Sequence, residues 1–478
     1  MPEADGTGTA LPPPNDAGAL EELRDRADTV WTRGAGSAPA IGRAAAQSLR
    51  GPGGRVAVLA GCRTPFVKAG TSLRDLDVVD LAGTAAAELI DRSGIDPAEI
   101  DLSVFGVVIP ALHAPNLGRE VVFRASLPMT IPGSSVNLAC ASSNRAIATG
   151  VEAILAGQAG VVLAGGAESL SNVPIQYSRS AARRLTEFSK ARSIGQKLAV
   201  LGRVRPSDLV PVPPAIAEHT TGLTMGASCE KMARENDISR RAQDEIALLS
   251  HRRAAAAIEA GRFDDQIVTL YPPSPHDEPV SRDSGVRDDA SMEALAALPP
   301  VFDKRYGTLT AGNSSPITDG ASAVLLVSEE RARALGLEPL GYVRSYAFAA
   351  LDPASQLLQG PAYAAPLALD RADLALADID LVEMHEAFAA QILSNLKAFA
   401  SPRFARDELG RSTPLGEVDF ERFNVNGGSI AIGHPFGATG ARVTMQLLHE
   451  MRRRDVGLGL MTVCAAGGVG FAMVVERG

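Results

Sequence analysis

Four residues of this chain stand where backbone turns would present a reactive side chain. Cys140 lies in Asn137-Leu138-Ala139-Cys140-Ala141-Ser142-Ser143, between a strand-like run and a helix-like run. A thiol at a helix start meets free N–H groups and the positive dipole end, which favour the thiolate. The competing reading is a buried structural cysteine, the usual fate of a free thiol. His434 closes Asn424-Val425-Asn426-Gly427-Gly428-Ser429-Ile430-Ala431-Ile432-Gly433-His434-Pro435, held between a glycine and a proline. His385 opens His385-Glu386-Ala387-Phe388 directly after the apolar run Leu381 to Met384. The end of a strand is where α/β folds place ligand-binding groups. No H-E-x-x-H follows, so zinc-protease chemistry has no support and no metal site is expected. Cys464 ends a strand-like run and enters Ala465-Ala466-Gly467-Gly468, a turn of small residues whose N–H groups could face a ligand; a plain turn with a buried cysteine is the alternative. Thiols with imidazoles point to nucleophilic attack with acid–base assistance.

The elements that carry these residues look duplicated. Asp96-Pro97-Ala98-Glu99-Ile100-Asp101-Leu102 and an apolar strand have a counterpart in Ala377-Asp378-Ile379-Asp380-Leu381 and its strand. Cys140 is followed by a helical run, Asn144 to Leu155, and a strand, Val161 to Ala164; His434 is followed by Ala441 to Met451 and Leu458 to Val463. Two such copies packed about a pseudo-twofold axis would bring the thiol of one to the imidazole of the other.

Composition narrows the function classes. The 478 residues suggest two to four domains, with 46% hydrophobic and 21% charged residues as in globular proteins. A net charge of −9 argues against nucleic acid as the partner of the whole chain. The four cysteines (62, 140, 229 and 464) form no C-x-x-C pair, which fits reduced thiols rather than a disulfide framework. No apolar run is long enough to span a membrane, and the acidic start Met-Pro-Glu-Ala-Asp resembles neither a secretory nor a transit signal, so a cytoplasmic location is expected.

Along the chain, residues 1–53 read as a disordered arm, with a short docking helix near Trp31 as the competing reading. Strands then alternate with helices, predicting an α/β fold with a largely parallel sheet. Asp77 to Arg92 has helical periodicity, and Asp96 before Pro97 is a helix-start signal. The first copy spans 54–168 and resumes at 299–335; the second spans 336–478. Between them, 169–298 breaks the rhythm with proline clusters and reads as an inserted loop domain. Its stretch from Arg179 to Arg205 holds eight Lys/Arg (179, 183, 184, 190, 192, 197, 203 and 205) against Glu187 alone. That is either a phosphate-binding patch or a solvated helix face.

Taken in order, the Cys140 element, Gly312-Asn313-Ser314-Ser315-Pro316-Ile317-Thr318-Asp319-Gly320-Ala321, the H-E-A-F at 385, the glycine-rich run to Pro435 and the Cys464 turn resemble the thiolases. The resemblance covers about Arg55 to Arg477. The C-A-A-G-G turn and Asp208 to Glu218 are most similar to the thiolase subunit of fatty-acid β-oxidation trifunctional complexes. The resemblance implies duplicated βαβαβαββ halves in a five-layered αβαβα arrangement. It implies an acyltransferase (acetyl-CoA C-acyltransferase) that cleaves 3-ketoacyl-CoA with CoA through an acyl-cysteine intermediate. Cys140 would be the nucleophile, His434 its base and Cys464 the second acid–base group. His434 with His385 would hold the enolate oxygen, and the N–H groups of Cys140 and Ala466 the acyl oxyanion. Ser315 would contact the pantetheine of CoA under the inserted domain. CoA is then a substrate, and no cofactor is implied. Cys62 and Cys229 look structural. A homodimeric core with a hydratase/dehydrogenase alpha subunit as partner is implied as well. Competing readings are a biosynthetic acetoacetyl-CoA thiolase, a decarboxylating ketoacyl synthase, a papain-like hydrolase and a non-catalytic acyl-CoA-binding subunit.

Overall fold

The computed structural model describes residues 49–212, 217–274 and 278–478. The docking helix considered near Trp31 and most of the N-terminal arm lie outside these residues. The end of that arm belongs to the fold, because Arg50–Gly51 pairs with Gly54 and Arg55 as the first turn of the sheet.

The strands are β1 (Arg50–Gly51), β2 (Gly54–Arg63), β3 (Val67–Lys68), β4 (Leu102–Gly106), β5 (Gly133–Val136), β6 (Val161–Glu168), β7 (Thr318–Ser328), β8 (Gly341–Ala350), β9 (Leu381–Met384), β10 (Leu458–Ala465) and β11 (Val469–Glu476). They form the order β5-β4-β6-β7-β2-β8-β11-β10-β9. The order β4-β6-β7-β2 mirrors β9-β10-β11-β8, so the expected pseudo-twofold passes between β2 and β8, which pair at Val56↔Val343, Ala57↔Tyr342 and Val58↔Gly341.

The largely parallel sheet expected from the alternation of elements is not what forms. Only β4/β5, β4/β6 and β9/β10 are parallel. Each half ends in an antiparallel pair, β6/β7 or β10/β11. The second pair is a hairpin closed by three residues, a link that permits only antiparallel strands. The second half also has no ladder corresponding to β5. A single bridge, Val382↔Phe423, stands there. Beside it the Asn424 amide bonds the Met384 N–H (2.8 Å) and carbonyl (2.9 Å), replacing a strand's backbone with a side chain.

Alternation along the strands sorts apolar side chains into three cores. Leu163, Leu325 and Phe105 face an outer layer with the helices Val78–Ser93 and Leu117–Arg124. Val162, Leu326, Met461 and Met473 face an inner core with the helices Ser142–Leu155 and Thr439–Arg454. Leu460, Val474 and Val382 face a second outer layer with Gly360–Ala372 and Ala389–Ala400. The five-layered αβαβα arrangement follows from these three cores.

In the segment 169–298, the described apolar residues that cluster do so with the two halves, and Ala254, Ala257 and Phe263 form a small fourth cluster with Phe66, Ala431, Ile432 and Ala438. Cys229, Met232 and Ile246, on its helices Met225–Glu235 and Arg240–Glu259, join the outer core of the second half, and Val268 and Leu270 join that of the first. Asp77 caps its helix as a capping box with Asp80. Asp96 caps only a single 3₁₀ turn, Pro97–Glu99, because β4 begins three residues later.

Candidate active site

Cys140 sits on a strained turn. Ala139 adopts φ +46°, a conformation that L-residues avoid. Two side chains hold it there. The Asn137 amide oxygen accepts from the Ala139 N–H (3.1 Å), while the Ser142 hydroxyl accepts from the Leu138 N–H (2.9 Å) and donates to the Ala139 carbonyl (2.7 Å). The helix begins at Ser142, two residues beyond the thiol.

The expected thiolate is not the resting form. Burial pushes the Cys140 thiol up to about 12, against the N–H groups of Ala466 and of Cys140 itself, which pull it down. Desolvation outweighs the helix start, so this thiol needs a base.

His434 and His385 face each other from two segments of the second half, with ring centroids 4.1 Å apart. His434 follows Gly433 at φ +115°, where a Cβ would stand 2.8 Å from Thr318 Cγ2; no other residue fits that turn. Its Nδ1 bonds Thr439 Oγ1 at 2.6 Å. His385 extends β9, its N–H donating to the Thr462 carbonyl of β10 (2.9 Å), and its Nδ1 bonds Ser429 Oγ at 2.9 Å. Both Nε2 atoms are buried without a protein partner. Burial drives both imidazoles down, His434 to about 3 and His385 well below its ordinary value, so both are neutral at physiological pH.

The Cys140 thiol and a ring nitrogen of each histidine lie within 4.8 Å of one another. A soft metal would find one thiol and two imidazoles there, but a half-buried neutral thiol beside unprotonated imidazole is equally the arrangement of a nucleophile and its base. Cys464 is fully buried near the end of β10, and its thiol is pushed well above the ordinary value by burial first and by nearby Cys140 and Cys229 next. It too is held as a thiol. Ala466 has no positive φ; Gly467 (+82°) and Gly468 (+69°) take that conformation. Ser315 donates its N–H to the Ala387 carbonyl (3.0 Å), which sets it beside the H-E-A-F segment. The structure thus gathers Cys140, His385 and His434, with Cys464 and Ala466 alongside.

The basic stretch is less free than its composition suggests. Arg184 is ion-paired with Asp208, which also accepts from the Ser180 hydroxyl (2.6 Å). Cys62 and Cys229 are buried free thiols.

Sequence reasoning missed the buried polar groups that hold this constellation. Glu386 accepts from the Ser250 hydroxyl (2.7 Å), the Asn424 amide (2.8 Å) and the Ile430 N–H (3.1 Å), tying the helix Arg240–Glu259 to the site. Glu168 accepts from the N–H groups of Val108 (3.1 Å), Ile109 (2.8 Å) and Gly437 (2.9 Å), clamping the first half to the turn after His434. Ser429 and Arg442 flank His385. Their one sequence signal was proximity: Asn424 and Ser429 fall inside the glycine-rich motif, and Arg442 in the helix after it.

Comparison with known proteins agrees with this geometry. Residues 56–330 match the family description "Thiolase, N-terminal domain", and residues 337–477 match "Thiolase, C-terminal domain". The chain belongs to the thiolase family. A 3-ketoacyl-CoA thiolase of Serratia proteamaculans (strain 568) is 52% identical over 424 residues, 89% of this chain and 97% of the relative. One of Aeromonas salmonicida (strain A449) is 51% identical over the same coverage. Among solved structures, human mitochondrial 3-ketoacyl-CoA thiolase in complex with CoA superposes with a TM-score of 0.75 at 32% identity, covering 91% of this chain and all of that one. The Bacillus anthracis acetyl-CoA acetyltransferase gives 0.76 at 33% identity, covering 88% and 98%. As a thiolase, the chain is an acyltransferase of this fold. No helix among its described residues is long and apolar enough to cross a membrane.

Proposed function

We infer that this thiolase cleaves 3-ketoacyl-CoA with CoA, giving acetyl-CoA and an acyl-CoA shortened by two carbons, in fatty-acid β-oxidation. The observation that carries the reading is the meeting of the first-half thiol with two second-half imidazoles, beside a second buried thiol. The 52% identical relative, named a 3-ketoacyl-CoA thiolase, supports it over the biosynthetic alternative.

His434 Nε2 takes the proton of Cys140, and the sulfur attacks the ketone carbon. The bond between that carbon and its α-carbon breaks, leaving an acyl thioester on Cys140 and the enolate of acetyl-CoA. Cys464 gives its proton to the enolate carbon, and acetyl-CoA leaves. The Cys464 thiolate then takes the proton of incoming CoA, whose sulfur collects the acyl group. The departing Cys140 sulfur recovers its proton from His434. The N–H groups of Cys140 and Ala466 hold the acyl oxyanion, and the two histidines hold the enolate oxygen. Ser315, beside the H-E-A-F segment, meets the pantetheine of CoA. The enzyme needs no cofactor beyond CoA as substrate. It works in the cytoplasm as a homodimeric core with a hydratase/dehydrogenase subunit as partner.

The test is CoA-dependent loss of acetoacetyl-CoA absorbance, repeated with a long-chain 3-ketoacyl-CoA. Turnover that disappears in Cys140→Ser and Cys464→Ala supports the reading. Stoichiometric CoA binding with no turnover of either substrate overturns it in favour of a binding subunit.

A further inference from the structure

The two active-site histidines use the same ring atom, Nδ1, to bond a hydroxyl, but the two hydroxyls are not equivalent. Thr439 Oγ1 also lies 3.1 Å from the Pro435 carbonyl, which can only accept. The threonine proton goes there, and its oxygen is left to accept from His434 Nδ1–H at 2.6 Å. Ser429 Oγ instead lies 2.6 Å from Arg442 Nη2, which can only donate. The serine oxygen is thereby used as an acceptor, and the acceptor within reach of its own proton is His385 Nδ1 at 2.9 Å. With a proton on His385 Nδ1, the Ser429 hydroxyl would be left without an acceptor in a site it shares with no solvent (0% exposed), and an unmade bond of a buried donor is costly.

We propose that Arg442 and Ser429 fix His385 as the Nε2–H tautomer, while Thr439 fixes His434 as the opposite, Nδ1–H tautomer. The two unpartnered Nε2 atoms that face each other in the site then have different functions. That of His434 presents a lone pair, ready to take the Cys140 proton. That of His385 presents an N–H, ready to donate to an oxyanion, and cannot compete as a second base. Arg442 and Ser429 are positioning residues: they touch neither substrate nor thiol and act through His385. Arg442 is itself held by the Gln446 amide oxygen (3.3 Å). Because burial keeps both rings neutral, each carries one ring proton, and its placement is the whole difference between base and donor. The fixed proton on His385 Nε2 also blocks that nitrogen as a metal ligand.

The proposal rests on the thiolase reading for its use, but its test does not. The protein is labelled with 15N in its histidine rings, and His385 is assigned by its loss in His385→Asn. The expected spectrum at neutral pH shows His385 with a pyrrole-type Nε2 and a pyridine-type Nδ1, and His434 with the reverse. The same tautomer in both rings, or a protonated Nδ1 in His385, overturns the proposal whether or not the protein cleaves 3-ketoacyl-CoA. Kinetics supply the second arm. Ser429→Ala should lower kcat about 10-fold with little change in the KM for CoA, and Ser429→Thr should recover most of it. An asparagine at 385 carries a permanent amide donor and has no tautomer to set. In the His385→Asn background, Ser429→Ala should therefore change kcat less than about 2-fold. An equal loss in both backgrounds would mean that Ser429 acts structurally, which overturns the positioning role.

Discussion

The two halves share one plan, down to single hydrogen bonds. Asp101 Oδ2 accepts from Gly160 N–H (2.7 Å) and Val161 N–H (3.0 Å), and Asp380 Oδ2 accepts from Gly457 N–H (3.0 Å) and Leu458 N–H (2.8 Å). Setting Val161 on Leu458 also sets the helix start Ser142 on Thr439. In that register Cys140 falls on Gly437 and Asn137 on His434. The thiol and the base therefore occupy corresponding turns but not corresponding residues. Gly437 shows why the second half has no nucleophile at the equivalent place. A Cβ there would stand 2.5 Å from the Ala167 carbonyl oxygen and 2.7 Å from that of Gly106. Where this turn meets the backbone of the first half, there is no room for a side chain of its own.

The inner helices diverge in the same way. Arg145 and Arg442 fall on the same register position. Arg145 is half-exposed and donates to Glu152 (2.5 Å); Arg442 is 1% exposed and donates to Ser429. Duplication supplied the frame, and the second copy moved its polar side chains inward to build the site.

The largest expected break in this symmetry is catalytic. Cys140→Ser or His434→Ala should lower kcat by about 10⁴-fold or more, since residues acting as a unit fail together; Gly437→Cys should rescue none of the Cys140→Ser loss. Next comes the arginine pair. Arg442→Lys should destabilise by about 1–3 kcal/mol in denaturant unfolding, because the buried Ser429 hydroxyl and Gln446 amide oxygen lose their donor. Arg145→Lys should change stability by less than about 0.5 kcal/mol. Gly437→Ala should cost about 1–3 kcal/mol through overpacking.

Two buried acids, one in each half, sharpen the comparison through pH. Burial raises Glu168 to about 7 and Glu383 to about 8. A carboxyl raised in the folded state contributes stability that is complete below its ordinary value and is lost as pH rises through the folded value. Unfolding free energy should therefore fall from about pH 4.5, the ordinary carboxyl value, up to the folded values near 7 and 8, by up to about 1.4 kcal/mol per pH unit for each group, and level off above them. Glu168→Gln should remove the part of the fall that ends near pH 7 and Glu383→Gln the part that ends near pH 8; a wild-type profile flat from about pH 4.5 to 8 would contradict both. The smallest effect is the one that should be equal: Asp101→Ala and Asp380→Ala should each cost about 1 kcal/mol, as lost caps do.

Much of this was legible in the sequence. Apolar runs bounded by glycine and acidic turns marked every long strand, and Leu381 to Met384 is the strand observed. Cys140 stood out because it falls between a strand-like run and a helix-like run, and His434 because a glycine and a proline hold it. Strand direction was not legible, since an apolar run reads the same parallel or antiparallel; the mixed sheet came from connections the pattern does not encode. The missing counterpart of β5 was hidden because the Asn424 side chain does a strand's bonding. Nothing in the local pattern marks Glu168, Glu386, Ser429 and Arg442 as buried, and only tertiary structure shows them 0–2% exposed. The segment 169–298 reads as an inserted loop domain because its proline clusters interrupt the rhythm; that its apolar residues share their clusters with the two halves is not visible in the pattern.

The central claim is that one thiol from the first half and the imidazoles of the second form a single reacting centre. Peptide mass mapping after incubation with a 3-ketoacyl-CoA in the absence of free CoA tests it most directly. The account predicts an acyl group on Cys140 alone in the wild type, and none in His434→Ala. An acyl group on Cys464 instead, or equal labelling of Cys140 without His434, would contradict it.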